Sequence, residues 1–487
     1  MSSPVSSSTS SISGLVSGMD TTTVVAQLMQ IEAQPQNLLK SQLSATQTDA
    51  AAYRDVNSAF AALATAAAAL TKPATWATAK ATASDTTVTA TATSGAQPGS
   101  VSFSVDRLAA GHSIISDKTQ KWATATTAFA LGSLTLKKSD NSTVTINPVD
   151  SDGDGVISLS DAVTAINKNA PGFTASAINT GSGFQLQVAA TTTGDASVFT
   201  LTPSAGTNTF GIFTQGQNAQ ITLGAGGPNP STITSATNTF TGTLANTTFT
   251  VSKVTAAGGA PTTVSVAGDP DAVAGAVQAM VTAANAVLSK IHTYTDSSVG
   301  SKAPLKGDWS LISLTGRVLD AVSTSLNVPS NGYTGLKPSS AGSNGLQLTK
   351  DGQLVFDAAA FKTALAADPV KVQAVFGGAT GVGADNVAGT PDDTIDVDGV
   401  GARLATMADQ ASDSATGSLT SLAKGQDTRA KDIQSQIDAW TLRLQARQQT
   451  LTNQFTAMET ALGTLKNQAS WLTSQINQLP SMSSKSN

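Results

Sequence analysis

Residues 433–479 read IQSQIDAWTLRLQARQQTLTNQFTAMETALGTLKNQASWLTSQINQL. Apolar residues fall at Ile433, Ile437, Trp440, Leu444, Leu451, Phe455, Met458, Leu462, Leu465, Ala469, Leu472, Ile476 and Leu479. These steps of three and four are the mark of a helix with one seam turned to a partner helix. Between Leu444 and Leu451 the seam passes through Gln448, a four-four step that locally unwinds a supercoil. No proline interrupts the chain from Asp427 to Leu479, and Pro480 then closes it. The pattern predicts a C-terminal coiled-coil helix over 427–480. At a rise of about 1.5 Å per residue it would reach ~80 Å, more than a compact domain requires. A seam that long needs company, so Ile437, Trp440, Leu444, Leu451, Phe455, Met458, Leu462, Leu465, Leu472 and Ile476 are the candidate oligomerisation residues. The alternative is an intramolecular hairpin with a helix from the other end of the chain.

That other end supplies one. Asp20 or Thr21 can cap a short helix through Val24, Val25, Leu28, Met29 and Ile31. Pro35 marks a restart, and Leu39, Leu43, Thr46, Ala50, Tyr53, Val56, Phe60, Leu63, Ala67 and Leu70 then line one face until Lys72-Pro73. This stripe is rich in Ala and suits close helix–helix approach. Residues 17–75 are therefore read as the N-terminal helices of a coiled-coil stem and leg, after a disordered segment 1–16. Residues 481–487 are read as a disordered tail.

From Trp76 to about Thr262 the period falls to two, as in Val101-Ser102-Phe103-Ser104-Val105 and Phe184-Gln185-Leu186-Gln187-Val188. Gly and Pro punctuate the run, and one helix, Leu159 to Asn169, interrupts it. This predicts a β-rich head, 76–262, in two subdomains. Helical spacing returns at Asp269-Pro270 with Val273, Val277, Met280, Val281, Ala284, Val287, Leu288 and Ile291. A further helix is expected from Leu311 to Leu326, then a hairpin of Leu346-Gln347-Leu348 and Leu354-Val355-Phe356 turning at Lys350-Asp351-Gly352. Asp357 can cap a helix to Ala366, and Pro369 to Phe376 is another. The expected order is a helical leg domain over 263–376, an acidic loop insertion over 377–400, and a leg helix with connector over 401–426. The fold class is α+β and multidomain, with terminal coiled-coil helices, a helical leg domain and a β-rich two-part head.

Composition excludes several function classes. Charged residues are only 12%, about half the usual share, so cores must be assembled from many small burials. The net charge of -5, with no Lys/Arg cluster, argues against nucleic-acid binding. There are no cysteines, which rules out disulfides and thiolate chemistry. No run of 18 apolar residues is present, so membrane insertion is not expected. Residues 1–13 are Ser/Thr-rich without a basic or apolar region, so export without a Sec signal is expected. His112 and His292 stand far apart, no catalytic motif is found, and the chain is not expected to be an enzyme.

Asp150-Ser151-Asp152-Gly153-Asp154-Gly155-Val156-Ile157-Ser158-Leu159-Ser160-Asp161 follows the calcium-loop pattern. Asp150, Asp152 and Asp154 fill positions one, three and five, and Gly155 sits at six. Val156 would offer its carbonyl, Ser158 holds nine, and Asp161 stands where Glu is usual. Ca²⁺ bound at 150–161 is the expected cofactor, bracing the head. The alternative is a solvated acidic turn. Asp385, Asp392, Asp393, Asp396 and Asp398 form a second acidic cluster, read as a solvated insertion.

Ile12-Ser13-Gly14-Leu15-Val16-Ser17-Gly18-Met19-Asp20, with Val24-Val25-Ala26-Gln27-Leu28-Met29 and Pro35, resembles the N-terminal signature of the flagellar filament capping (hook-associated protein 2) family. Gly268-Asp269-Pro270, Pro304-Leu305-Lys306-Gly307-Asp308, Asp351-Gly352-Gln353-Leu354-Val355-Phe356-Asp357 and Gln454-Phe455-Thr456-Ala457-Met458-Glu459 resemble its C-terminal half. The stretch about 129–201 resembles the insertion module of flagellins and hook proteins. Val16, where the family usually has a small residue, and the insertion at Gly381–Asp398 depart from the pattern. The resemblance implies a secreted, non-enzymatic cap at the filament tip, a ring homo-oligomer taken as a pentamer. Its implied partners are flagellin, the hook–filament junction proteins, and the flagellar export apparatus with its chaperone. The alternative from another class is a secreted calcium-dependent adhesin active in cell adhesion.

Overall fold

A computed structural model describes residues 18, 20–206, 209–328, 333–338, 344–381 and 394–477. The expected terminal segments 1–16 and 481–487, most of the 12–20 signature, Leu479, Asp385, Asp392 and Asp393 lie outside the described residues. The chain divides into two compact units, Lys72–Ala276 and Met1–Thr71 with Val277–Asn487. The fold is α+β and multidomain.

The Lys72–Ala276 unit holds two β cores. In the first, strands Ala79–Ala83, Thr262–Gly268, Gly99–Arg107, Ala219–Leu223 and Ser231–Ser235 form one antiparallel sheet in that order. A second sheet orders Thr239–Thr241, Thr247–Val251 and Val88–Ala92. Their shared core is aromatic: Phe249 stacks on Phe103 at 4.7 Å and on Phe240 at 5.5 Å. The strand run thus ends at Gly268 rather than 262, because Val264 and Val266 continue the inward alternation.

The second core lies under a four-stranded sheet ordered Phe210–Thr214, Ser113–Ser116, Phe184–Ala190 and Phe173–Asn179, and a three-stranded sheet ordered Thr143–Ile146, Leu134–Lys138 and Phe199–Pro203. Its helix runs Leu159–Asn169, as the sequence predicts, with Leu159, Ala162 and Ile166 fully buried. Trp122 and Phe210 also pack on this core, so it extends beyond 129–201 on both sides. The edge strand Phe173–Asn179 is capped at Ala175 by a side chain. Asn167 Oδ1 accepts from the Ala175 amide at 2.7 Å, and its Nδ2 donates to the Ala175 carbonyl at 3.2 Å.

In the other unit, Thr21–Glu32 and Gln34–Leu70 lie against Ser418–Asn477, and Gln34–Leu70 also packs on Val400–Ser412. Asp20 caps the first helix by accepting the Thr23 amide at 3.1 Å. Small residues set the spacing. A Cβ on Gly401 would meet Phe376 O at 2.8 Å, Ala67 O at 2.9 Å and the Leu70 side chain at 3.0 Å. Phe60, Leu63, Leu70, Leu404 and Leu419 are fully buried there. The expected hairpin of Leu346–Leu348 with Leu354–Phe356 forms, with Leu346 opposite Phe356 and Leu348 opposite Leu354. Asn285 pins it, donating to Leu354 O at 2.7 Å and accepting from Leu354 N at 2.9 Å.

Three expectations are corrected here. The helix expected over 311–326 is Trp309–Ser323: Asp308 caps it by accepting the Leu311 amide, and Thr324 is extended, so Leu326 enters a strand. The C-terminal helix begins at Ser418, nine residues before Asp427, and is 60 residues long to Asn477. Asp413 accepts the Ala415 and Thr416 amides, and Gly417 fits a turn where any Cβ would strike Asp413 at 2.5 Å. The 377–400 insertion is not all loop, since Ala379–Gly381 pairs with Thr394–Val397. Finally, Pro270–Thr295 is long and apolar enough to cross a bilayer by composition, although no 18-residue run is unbroken. In this fold Val277, Met280, Ala284, Val287 and Ile291 are buried in protein instead.

Two glycines give opposite expectations. Gly401→Ala overpacks the helix contact and lowers stability by about 1–3 kcal/mol. Gly425→Ala, in a helix interior where an added Cβ meets nothing within 4 Å, raises it by up to ~1 kcal/mol. Urea unfolding followed by helical circular dichroism reads both signs.

Candidate functional site

The long-helix seam comes first. Partner positions run in opposite directions along Gln34–Leu70 and Ser418–Asn477: Asn57 meets Thr420, Arg54 pairs with Asp427, and Gln36 reaches Thr441 at 2.7 Å. Beyond the break at Ala33, Glu32 pairs with Arg447 at 2.9 Å. The two helices are antiparallel, so the intramolecular hairpin holds for the first half of the seam.

The candidate residues divide accordingly. Ile437 and Leu451 are buried, as is Ile433. Trp440, Leu444, Phe455 and Met458 are half-buried, with the Arg443 guanidinium 5.4 Å over the Trp440 ring. Leu462 is 36% exposed, and beyond it Leu465, Leu472 and Ile476 reach 60%, 54% and 57%. Trp471 is 63% exposed. Among the described residues the last four turns therefore carry a bare apolar stripe. Leucine and isoleucine at this density are seldom left in water without a contact to make. Hydrophobic spacing does not reveal the buried Gln36; the signal available was a polar residue directly after Pro35 on an otherwise small-apolar face.

The acidic loop is the second candidate. One carboxylate oxygen from each of Asp150, Asp152 and Asp154 lies within 4.8 Å of the others. The backbone folds around them as the spacing predicts. Asp150 accepts the Gly153 amide at 2.7 Å and the Gly155 amide at 2.9 Å, and Asp154 accepts that of Val156 at 2.8 Å. Gly155 has φ +83°, the left-handed turn that position six requires. The amides of Gly155 and Gly153 hold the Asp150 carboxyl below its ordinary value. Asp152 also accepts from the Asp154 amide, which favours its ionised form. Slight desolvation, the negative charges of Asp154 and Asp161 and the bond with Asp150 together outweigh it and raise the pKa.

Ser158 and Asp161 sit apart from this trio in function. Ser158 is the N-cap of Leu159–Asn169 and Asp161 its N3 residue, forming a reciprocal capping box. Asp161 Oδ2 accepts from the Ser158 amide at 2.9 Å and hydroxyl at 2.7 Å. Its Oδ1 accepts the Ser151 amide at 2.9 Å and the Ser151 hydroxyl. The Ser151 hydroxyl, then the Ser158 amide and hydroxyl, hold this buried carboxyl far below the ordinary Asp range. Both oxygens are thus engaged in closing the loop. The residues that fit a divalent ion are the three exposed aspartates. The exposed Val156 lies two residues after Asp154, in the position whose carbonyl the pattern assigns to the ion.

His112 is packed rather than poised for chemistry. It is buried edge-on to Phe199 at 5.2 Å, its Nδ1 accepts the Gly216 amide at 3.2 Å, and burial pushes its pKa down.

The family model described as flagellar hook-associated protein 2 C-terminus matches residues 216–467, and that described as flagellar hook-associated protein 2 N-terminus matches 17–112. The lateral flagellar hook-associated protein 2 of Vibrio parahaemolyticus is 29% identical over 228 residues, 44% of this chain and 49% of its own. The chain therefore spans about half the length of this curated relative. The crystal structure of the flagellar cap protein FliD D1-D2-D3 domains from Escherichia coli aligns with TM-score 0.55 at 23% identity. It covers 77% of this chain and 99% of its own, which shows a shared fold.

Asp161→Ala removes the capping box and costs the head about 1–2 kcal/mol at neutral pH. Because folding depresses this carboxyl, its contribution is complete above the unfolded pKa of about 3.9 and fades as pH falls below it. Thermal melts at pH 7 and pH 3 should therefore separate wild type and variant widely at pH 7 and less at pH 3.

Proposed function

The chain belongs to the flagellar hook-associated protein 2 family, and from that premise we propose that it caps the distal end of the flagellar filament. In this reading several copies, five as the working number, form a ring that retains exported flagellin and promotes its folding and insertion. The chain reaches the tip through the flagellar export apparatus with a chaperone, without a Sec signal, and meets the hook–filament junction proteins on the way. The role is structural, not enzymatic.

The bare stripe on the last four turns of Ser418–Asn477 carries the reading. Leu465, Leu472 and Ile476 are each more than half exposed, and burying what remains of each against a neighbour contributes about 1–2 kcal/mol. The first half of the same seam is already satisfied within the chain, so the free half is what remains for other copies or for flagellin. Leu472→Asp with Ile476→Asp should send unpolymerised flagellin into the medium and shorten filaments, with the head still folded by near-UV circular dichroism. Normal filaments from that double variant would overturn the anchoring role. A strain lacking the chain that keeps full filaments would favour the calcium-dependent adhesin instead.

A second reading rests on the Asp150, Asp152 and Asp154 carboxylates. Their spacing supports a Ca²⁺ ion held by these three side chains and the Val156 carbonyl, bracing the head loop without catalysis. The remaining ligands would be water. Titration calorimetry on the full chain should give heat with millimolar CaCl₂ that Asp150→Asn with Asp154→Asn abolishes. No heat from the wild type would dismiss the ion.

A further inference from the structure

The two apolar clusters of the Lys72–Ala276 unit share no residue, so the joint between its β cores is built from other groups. Two chain segments cross that joint, one ending at His112 and the other at Asn218. They are bridged once, with the Ala110 amide donating to Gln217 O at 3.0 Å and the Gln217 amide to Ala110 O at 3.1 Å. The turn Gly194–Ser197 of the second core holds both segments. Its Gly194 amide donates to Ala110 O at 3.1 Å, and Asn218 Nδ2 donates to Asp195 Oδ2 at 2.7 Å. Just before the turn, Thr193 Oγ1 donates to Ala236 O at 2.7 Å. The joint is thus polar, and its strength depends on hydrogen bonds kept from water.

His112 lies within this joint and is 1% exposed. Its amide donates to Ser197 Oγ at 3.0 Å, and Ser197 Oγ donates to Gly194 O at 2.6 Å. Its ring Nδ1 accepts the Gly216 amide at 3.2 Å, which fixes the neutral tautomer with the proton on Nε2. Gly216 sits so tightly that a Cβ there would meet Ser197 Oγ at 2.5 Å and His112 Cβ at 2.9 Å. A second proton on the ring would set Nδ1–H against the Gly216 N–H, donor facing donor. It would also place a charge beside Phe199 in a site closed to water. Burial accordingly disfavours the charged ring and outweighs the Phe199 backbone, which favours it. Strands Ser113–Ser116, Phe173–Asn179, Phe184–Ala190 and Phe199–Pro203 and the connector 214–218 carry no charged residue. On the remaining elements, Asp106 is taken by Gln220 and Thr222, and Arg107 Nε donates to Asn218 O at 3.1 Å. Asp195 is held by Asn218, and Lys138, the register partner of Phe199, lies 5.8 Å over the Phe173 ring. Among the described residues none of these four bonds to the imidazole, so no carboxylate is placed to offset a charge there.

We propose that His112 is an acid-released latch between the two β cores: neutral, it ties Gly216 to the Gly194–Ser197 turn, and protonated, it lets the joint open. The open joint exposes an ordinary imidazole with a pKa of about 6.5, whereas the closed joint holds the ring neutral. Opening therefore takes up a proton. Closure is complete at neutral pH and above, and it weakens as pH falls below about 6.5. The opening equilibrium grows about tenfold per pH unit until the closed joint itself takes the proton. The Lys72–Ala276 unit is then one piece in neutral medium and two hinged pieces in acid. This goes beyond the capping role, and its test is read on the isolated full chain, whatever that chain caps.

Hydrogen exchange, corrected for the intrinsic rate at each pH, reads the joint directly. The amides of Ala110, His112, Gly194, Ser197, Gly216 and Gln217 should lose about twentyfold in protection between pH 7 and pH 5. Those of Thr247–Val251 and Leu134–Leu136, inside the two cores, should lose less than about twofold. His112→Asn keeps an acceptor near the Nδ1 position but cannot be protonated, so its joint amides should be equally protected at both pH values. Ring NMR of the unaltered chain, to which only two histidines contribute, does not depend on that variant folding. It should show His112 neutral at pH 6 with the proton on Nε2. Unchanged joint protection at pH 5, a loss spread evenly over both cores, the same acid response in His112→Asn, or a ring half-protonated at about pH 6.5 overturns the latch.

Discussion

The helical unit depends on backbones brought close by side chains too small to keep them apart. Gly401 admits the carbonyls of Ala67 and Phe376 to distances at which a methyl group would collide. Ala50, Ala59 and Ala67 are buried on the facing helix, and Ala408 and Ala411 on Val400–Ser412. Each contributes little, since an alanine methyl removes only a small apolar area from water. Stability arises from length, and length is what the 37-residue and 60-residue helices provide. Larger side chains enter only in short stretches, such as Phe60 and Leu63, or in the compact knot where Phe361 meets Phe376 at 5.5 Å. Polar residues then decide alignment rather than strength. Arg54 with Asp427, Gln36 with Thr441, and Glu32 with Arg447 sit in sequence along the pairing.

Much of this was legible in the residues because caps are local. Asp20 and Asp357 each accept an amide at the head of a helix as read, while Ser158, Asp308 and Asp368 do the same without having been singled out. Hairpin turns were equally plain, as Lys350-Asp351-Gly352 illustrates. The start of the long helix was not legible. Gly417 and Gly425 look like punctuation, and only the fold distinguishes a glycine that turns the chain from one that sits idle in a helix. The pairing of Ala379–Gly381 with Thr394–Val397 was hidden for another reason: short strands separated by an acidic insertion carry no periodicity of their own. Asp161 shows the limit at the candidate site. An aspartate three residues after a helix cap and an aspartate at the twelfth position of a metal loop are the same letter at the same place. Their difference appears only when both oxygens are found hydrogen-bonded to Ser151 and Ser158.

Family membership and the burial pattern point to one division of labour. The seam read from Ile433 onward is one pattern to the eye but two surfaces in space. Its first part is consumed by the chain's own N-terminal helices, and its last part is left for something else. A chain that satisfied the whole seam internally would have nothing to grip with. One that satisfied none would expose a continuous apolar helix far longer than soluble proteins tolerate.

The carboxamide of Asn167 has a consequence of a different kind. Outer strands with free amides are templates on which foreign polypeptide can zip up. At Phe173–Asn179 both groups of Ala175 are already spoken for by one side chain. One carboxamide thus removes one docking point for foreign backbone on the margin of that sheet.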